Sequence, residues 1–178
     1  MGKKALILSS SPRRGGNSDI LCDQFMLGAQ EAGNQAEKIF LKDKNINYCL
    51  GCGACQKTGS CVQNDDMDEI LDKLVEADVI VMATPVYFYS MCAQMKTLID
   101  RTCPVYTKIS DKKFYIIATA ADGSKDALDE TITGFRGFFR CLDNPEEAGI
   151  IDGLGAWKIG DIKGHPAMKH AYEMGKNI

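Results

Sequence analysis

The sequence predicts a doubly wound α/β domain, in which a five-stranded parallel sheet carries helices on both faces. Short apolar runs, typical of strands buried on both faces, alternate with segments of helical periodicity. The chain has 178 residues, 45% of them hydrophobic, without a repeat or linker, which fits one domain over residues 1–178. Strands that alternate with helices form βαβ units and therefore a parallel sheet.

The first strand and helix are the clearest elements. Residues 5–8 form a short apolar run, and we expect the first strand there. A helix should follow, with Asn17 or Ser18 as its N-cap, and its apolar residues recur every three or four positions as far as Gly33. Residues 36–41 predict the second strand.

The later elements follow the same alternation. Asp66 with Glu69 three residues later resembles a capping box at the start of a helix. The remaining strands are predicted at 79–83, where Thr84-Pro85 should end the strand, at 114–118 and at 148–152. Further helices are predicted through residues 91–99, from the loop 119–124 to about residue 142, and over 166–176.

Five such units in this length fit the flavodoxin-like form of the fold, with strand order 2-1-3-4-5, better than a Rossmann domain with two halves. Ligands in these sheets bind outside the carboxyl ends of the strands, where strands one and three diverge. This rule selects three loops for the ligand: 9–18, 84–89 and 119–124.

The first of these loops runs directly into a helix N-terminus, where free N–H groups and the helix dipole favour a phosphate. The loop has neither the Walker A nor the GxGxxG spacing. Side chains that can add donors are Ser9, Ser11, Arg13, Asn17 and Ser18. We expect a phosphate site, and a solvated turn with a helix cap is the alternative.

The second loop carries aromatic residues, and Tyr87 or Phe88 could lie against a planar ring. An aromatic cluster that covers the sheet is the alternative. The neighbouring phosphate loop favours a flavin.

A cysteine-rich loop over residues 47–64 is the most specific feature. Its cysteines, in the pattern Cys-x2-Cys-x2-Cys-x5-Cys, are Cys49, Cys52, Cys55 and Cys61. Bacterial ferredoxin motifs begin with the same Cys-x2-Cys-x2-Cys. Zinc sites usually divide their ligands between two separated pairs, so the compact spacing favours an iron–sulfur centre. Zinc, an oxidised pair and uncoordinated thiols remain the alternatives.

The remaining side chains suggest less chemistry. The other four cysteines are interpreted as small buried hydrophobic residues: Cys22, Cys92, Cys103 and Cys141. Lys96, Asp100 and Arg101 are interpreted as a solvated helix face, and Asp65-Asp66 as helix capping. A net charge of −3 gives no reason to expect a nucleic acid or a membrane as partner, and no apolar stretch is long enough to span a bilayer. We expect a cytoplasmic protein.

Several motifs together resemble the NADPH-dependent FMN reductase family and, within it, the iron–sulfur flavoproteins. They are residues 11–18, Cys49-Leu-Gly-Cys-Gly-Ala-Cys55 with Gly59-Ser-Cys61, Asp65-Asp66-Met67, and Thr84-Pro-Val-Tyr-Phe88 with Gln94-Met-Lys96 and Asp100-Arg101. The resemblance implies that FMN is the cofactor. Its phosphate would lie on Ser11, Arg13, Asn17 and Ser18, and its ring against Pro85, Val86, Tyr87 and Phe88, with Thr119 nearby. The four clustered cysteines would hold a [4Fe–4S] cluster that passes electrons to FMN.

The predicted function is therefore an FMN-dependent oxidoreductase that passes electrons between a reduced carrier, such as ferredoxin or NAD(P)H, and an acceptor. The resemblance also implies a homodimer or homotetramer, with the cluster of one subunit close to the flavin of another. Two alternatives remain. One is an NAD(P)H-dependent FMN or quinone reductase without a cluster. The other is a non-enzymatic flavodoxin-like module that senses redox state through its cysteines.

Overall fold

The computed structural model describes residues 2–178 and contains one sheet. Its strands are β1 (Lys4–Ser9), β2 (Gln35–Phe40), β3 (Val79–Tyr87), β4 (Ser90–Met91), β5 (Lys113–Thr119) and β6 (Glu146–Gly153). The five long strands are parallel in the order β2-β1-β3-β5-β6, and β4 pairs antiparallel with β3. The predicted fold class and order of the five long strands are confirmed. The short β4 is an addition that the sequence pattern did not indicate.

Helices cover both faces of the sheet. They are α1 (Asn17–Glu31), α2 (Cys55–Thr58), α3 (Met67–Glu76), α4 (Ala93–Arg101), α5 (Asp129–Phe139) and α6 (Pro166–Lys176). Alternate side chains of β1 point to opposite faces, as the two-residue period of a strand requires. Ala5 and Ile7 belong to the core beneath α1 and α6, whereas Leu6 and Leu8 belong to the core beneath α3, α4 and α5. No helix within residues 2–178 is long and apolar enough to cross a membrane.

Helices α1 and α6 approach each other backbone to backbone. A Cβ at Gly175 would lie 2.0 Å from the carbonyl oxygen of Phe25, and one at Gly28 would lie 2.1 Å from that of Tyr172. Real Cβ atoms do not approach other atoms this closely, so both positions require glycine. The contact fixes α1, and its N-terminus with it, to the last helix of the described chain.

The third strand runs four residues further than predicted. Pro85 pairs in register with Thr119, so Thr84-Pro85 does not end β3. The strand then turns back at Phe88 and Tyr89, whose φ angles are +50° and +61°. Two central residues with positive φ are typical of the tight hairpins that match strand twist. Bulky side chains rarely adopt that conformation, so this aromatic turn is strained.

Two helix starts differ from the predictions. The N-cap of α1 is Gly16 rather than Asn17 or Ser18, and no side chain caps the helix. Asp66 does occupy the N-cap position of α3, but its carboxylate accepts from the N–H of Asn45 at 2.6 Å, so the predicted capping box does not form. The side chains of Asn17 and Asp66 bind backbone groups of neighbouring loops instead of capping their helices, and a local sequence pattern does not reveal such partners.

Candidate functional site

The three loops selected from the sequence meet at the carboxyl edge of β1, β3 and β5. They enclose a cleft of about 490 Å³, called the switch-point cleft below. Ligand pockets commonly measure about 300–1,000 Å³. Of the ten residues predicted to bind a cofactor, nine line this cleft: Ser11, Arg13, Asn17, Ser18, Pro85, Val86, Tyr87, Phe88 and Thr119.

Ser9 is the exception, because its side chain lies below the loop. It is buried, and its hydroxyl donates to Oδ1 of Asp19 at 2.9 Å. The same carboxylate accepts from the N–H of Gly15 at 3.0 Å and from Lys38 Nζ at 2.9 Å. Ser9 therefore helps to hold Asp19 under the loop and does not line the switch-point cleft.

Hydrogen bonds and close packing hold the loop between β1 and α1 in place. Ser10 donates both its N–H, at 3.0 Å, and its hydroxyl, at 2.6 Å, to the carbonyl of Ala83 on β3. The hydroxyl of Ser11 donates to the carbonyl of Arg13 at 2.8 Å. A Cβ at Gly16 would lie 2.5 Å from Ser11 Oγ, so the turn closes only with glycine there. The loop thus presents the start of α1 to the cleft in one conformation.

Ser18 carries an unused donor in this cleft. Its side chain is 1% exposed, and its Oγ has no hydrogen-bond partner within residues 2–178. Helix α1 also lacks a side-chain cap, so no side chain accepts from its first-turn N–H groups. A buried hydroxyl without a partner is unfavourable, so the site fits a ligand that accepts hydrogen bonds.

Asn17 lines the cleft and also makes contacts that the sequence did not predict. Its amide nitrogen donates to the carbonyls of Ala156, at 3.2 Å, and Lys158, at 2.9 Å. Its Oδ1 accepts from the N–H groups of Gly160, at 3.1 Å, and Ile162, at 3.3 Å. All the hydrogen-bonding positions of this side-chain amide are therefore occupied within the protein. The amide fixes the segment that follows β6.

That segment adds lining residues that the sequence reasoning missed. Trp157 and Ile159 border the switch-point cleft although they are 72% and 59% exposed. Trp157 is the only tryptophan of the chain. An exposed tryptophan is a signal for a binding surface, but its exposure is not visible in the sequence.

The β3–β4 hairpin forms the aromatic side of the cleft. Tyr87 is 42% exposed and Phe88 is fully exposed. The buried hydroxyl of Thr131 on α5 donates to the carbonyl of Tyr89 at 3.1 Å and holds the turn. The strained turn is thus anchored from the helix layer, as strained backbone at functional sites usually is.

A second cavity of about 140 Å³, called the cysteine cavity below, lies at the loop 47–64. The four predicted cysteines line it: Cys49, Cys52, Cys55 and Cys61. A fifth thiol, Cys103, joins them, so its interpretation as a buried core residue was wrong. Its position after α4 brings it to the loop, which sequence distance concealed. Cys141 was also misassigned because it is exposed, whereas Cys22 and Cys92 are buried as predicted.

Glycines shape the cysteine loop. Gly51 and Gly53 have φ angles of +64° and +68°, in the left-handed region that glycine adopts easily. The N–H of Gly51 donates to the sulfur of Cys49 at 3.5 Å, as expected for a loop that stabilises a thiolate. Helix α2 forms one turn within the loop. Within residues 2–178 the eight cysteines form no disulfide, and no three His, Cys, Asp or Glu side chains are arranged around a single metal-ion position.

Arg101 closes the base of the cysteine loop. The interpretation as a solvated residue was wrong, because Arg101 is 2% exposed. Its Nη1 donates to Oδ2 of Asp65 at 2.7 Å and its Nη2 to Oδ1 at 2.8 Å. These bonds hold the pKa of Asp65 down at about 2, well below its usual range. Lys96 and Asp100 on the same helix are exposed, as predicted, and pair at 2.6 Å.

Comparison with known proteins identifies the family. Residues 3–152 match the sequence profile of the NADPH-dependent FMN reductases. The chain belongs to this family. Among solved structures of similar fold, one is titled the Trp repressor binding protein from Bacillus subtilis, with 26% identity, a TM-score of 0.71 and coverage of 97% of this chain and 99% of that one. Another, an NAD(P)H:quinone oxidoreductase from Methanothermobacter marburgensis, shares the fold at 17% identity and a TM-score of 0.71, with coverage of 99% and 97%.

The chain is also similar to curated proteins named iron–sulfur flavoproteins. One from Archaeoglobus fulgidus is 44% identical over 101 residues, 57% of this chain and 46% of that protein. One from Methanocaldococcus jannaschii is 38% identical over 128 residues, 72% of this chain and 66% of that protein. The match thus spans about half to two thirds of the length of these relatives.

Proposed function

We propose that this family member binds FMN in the switch-point cleft and acts as a flavin-dependent oxidoreductase. The observation that carries the proposal is Ser18, whose buried hydroxyl has no partner at the uncapped start of α1. When bound, FMN would supply the redox chemistry, because its ring exchanges electrons either singly or in pairs.

The phosphate would lie at the start of α1. Ser11 and Ser18 line the cleft there, the hydroxyl of Ser18 has a free proton to donate, and Arg13 adds a positive charge. First-turn N–H groups and the helix dipole both favour an anion at this place. Asn17 contributes by fixing the segment 156–162 rather than by touching the phosphate.

The ring would lie between the hairpin and the end of β5. Pro85 and Val86 are half-buried, while Tyr87 and Phe88 expose aromatic faces. Thr119 is almost fully buried at the end of β5. Aromatic and apolar side chains with a few polar groups are typical of a pocket for a planar cofactor.

In the cysteine cavity we propose a [4Fe–4S] cluster held by Cys49, Cys52, Cys55 and Cys61. Thiolates are the ligands that iron–sulfur clusters use, and a loop rich in left-handed glycines supplies N–H donors to sulfur. A cluster holds its four thiolates farther apart than a single ion does, so it suits thiols spread around a cavity. Relatives named iron–sulfur flavoproteins support the same assignment.

The two cavities share no lining residue although both lie at the carboxyl edge of the sheet. Large apolar side chains are exposed beside each of them, Tyr48 and Leu50 at the cysteine loop and Phe88 and Trp157 at the cleft. Such exposed patches favour association. We therefore propose a homodimer or homotetramer in which the cysteine loop of one subunit faces the cleft of another, with ferredoxin or NAD(P)H as electron donor.

The test is anaerobic purification, followed by titration of the apoprotein with FMN and by iron and sulfide assays. Ser18→Ala should weaken FMN binding about 5- to 150-fold, because a hydrogen bond to a charged partner and burial are worth about 1–3 kcal/mol. Ser60→Ala, in the exposed part of the cysteine loop, is the control and should bind FMN like the wild type. A protein that refuses FMN contradicts the flavin site. A flavoprotein without iron after reconstitution supports instead an NAD(P)H-dependent FMN or quinone reductase without a cluster.

A further inference from the structure

Arg101 is a buried cation at the wall of the cysteine cavity. Its side chain lies on α4, outside the loop that carries the four clustered cysteines, and it lines the cavity together with them. Arginine is seldom buried unless it is paired. Its contacts therefore indicate what it does.

Two of its three nitrogens hold the ends of the loop together. Nη1 donates to the carbonyl of Asn47 at 2.6 Å, two residues before Cys49. Nη1 and Nη2 both bind Asp65, four residues after Cys61. Asp65 also accepts from the N–H of Asn47 at 3.0 Å. Arg101 thus links the two ends of the segment that carries the clustered thiols.

The third nitrogen has no partner. Nε is buried and makes no hydrogen bond within residues 2–178, and the one other such side-chain atom is the hydroxyl of Ser18 in the switch-point cleft. Arg101 lines the same cavity as Cys49, Cys52, Cys55 and Cys61. A buried N–H without a partner therefore belongs to a side chain that shares the cavity wall with the clustered thiols.

We propose that Arg101 is a positioning residue for an iron–sulfur centre in the cysteine cavity. Arg101 holds the two ends of the cysteine loop together and donates its Nε–H to a sulfur atom. This hydrogen bond raises the reduction potential of the centre. The inference rests on the proposed cluster. Hydrogen bonds to sulfur and nearby positive charge stabilise the more negative, reduced form. A donor that is fixed by Asp65 and Asn47 requires no reorganisation when the electron arrives.

The test compares Arg101→Lys with Lys96→Gln, a change to an exposed cation on the same helix. Both proteins are reconstituted anaerobically with iron and sulfide, and the midpoint potential of the centre is measured by EPR-monitored titration. Arg101→Lys keeps a cation beside Asp65 but lacks Nε. At the wild-type midpoint potential, the ratio of oxidised to reduced centre in this variant should be about tenfold higher. For a one-electron couple, this corresponds to a midpoint potential about 59 mV lower. Lys96→Gln should match the wild type.

A second variant covers the case in which Arg101→Lys does not fold. Arg101→Gln with Asp65→Asn removes the buried cation and its partner together, and the same downward shift is expected. A midpoint equal to that of Lys96→Gln in the folded variant overturns the inference, because a purely structural role would not move the potential. Wild-type protein that binds FMN but takes up no iron overturns both the cluster and this inference, and leaves the flavin site standing.

Discussion

The buried pair of Asp65 and Arg101 should make the stability of the apoprotein depend on pH in a defined window. Both side chains are 1% exposed, so solvent screens their interaction little. Replacing Asp65 by Asn removes the carboxylate and leaves the guanidinium uncompensated. Such a change typically destabilises a protein by about 3–5 kcal/mol. A domain of this size typically has about 5–15 kcal/mol of stability, so the variant should remain folded at neutral pH.

The pH window follows from the pKa of Asp65, which falls from 3.8 in the unfolded chain to about 2 in the folded protein. At about 1.4 kcal/mol per tenfold change, this difference corresponds to roughly 2.5 kcal/mol. Because the folded pKa is the lower one, the stabilisation is complete above about pH 5. It is lost progressively as the pH falls through 3.8 and then through about 2, where the folded carboxylate takes up a proton.

Urea unfolding of the reduced apoprotein, at a series of pH values from 6 down to 2, measures this contribution. The wild type should lose about 2 kcal/mol more than Asp65→Asn between pH 6 and pH 2, because the last part of the stabilisation is lost only below the folded pKa. Asp100→Asn, which removes an exposed carboxylate from the same helix as Arg101, should follow the wild type. If the curve for Asp65→Asn runs parallel to that of the wild type, the pair does not couple to folding as the contacts imply.

Two further predictions concern the scaffold. Gly175→Ala should lower the free energy of unfolding by about 1–3 kcal/mol, because its Cβ would press on the carbonyl of Phe25. Gly137→Ala, on the open side of α5, is the control and should raise the free energy of unfolding by about 0.5–1 kcal/mol. If denaturant titrations show the same change for both variants, the close packing of α1 and α6 is contradicted. Replacing Phe88-Tyr89 by Asn-Gly should stabilise the fold by about 1 kcal/mol, since these residues adopt positive φ readily. A loss of stability there would mean that the aromatic turn is not strained.

The fold was predictable because its signals are local. Buried strands such as β1 and β5 are continuous apolar runs, and the helices between them have a clear period, so the order of elements can be derived directly. The extension of β3 beyond Pro85 was not predictable in this way. It depends on pairing with β4 and β5, which are partners that the local sequence does not specify.

The candidate site was predictable to a similar extent. The switch-point rule located the loops of the cleft, and the cysteine spacing located the second cavity. The errors at Arg101 and Cys103, and the contacts of Asn17 that the sequence did not indicate, share one cause. Each side chain makes its decisive contacts with residues distant in sequence, such as Asn17 with Lys158 and Arg101 with Asp65. Long-range hydrogen bonds leave no periodic trace in a sequence.

The amide of Asn17 has a consequence for how this chain can be recombined with its relatives. The family match ends at residue 152, but Asn17 holds four backbone groups from residues 156 to 162, and Gly28 lies against α6. A chimera that exchanged everything after residue 152 would replace the residues that contact Asn17 and Gly28 and thereby hold α1 in position. Donor sequences for such hybrids should therefore be chosen by their match to the final 26 residues as well as to the family segment.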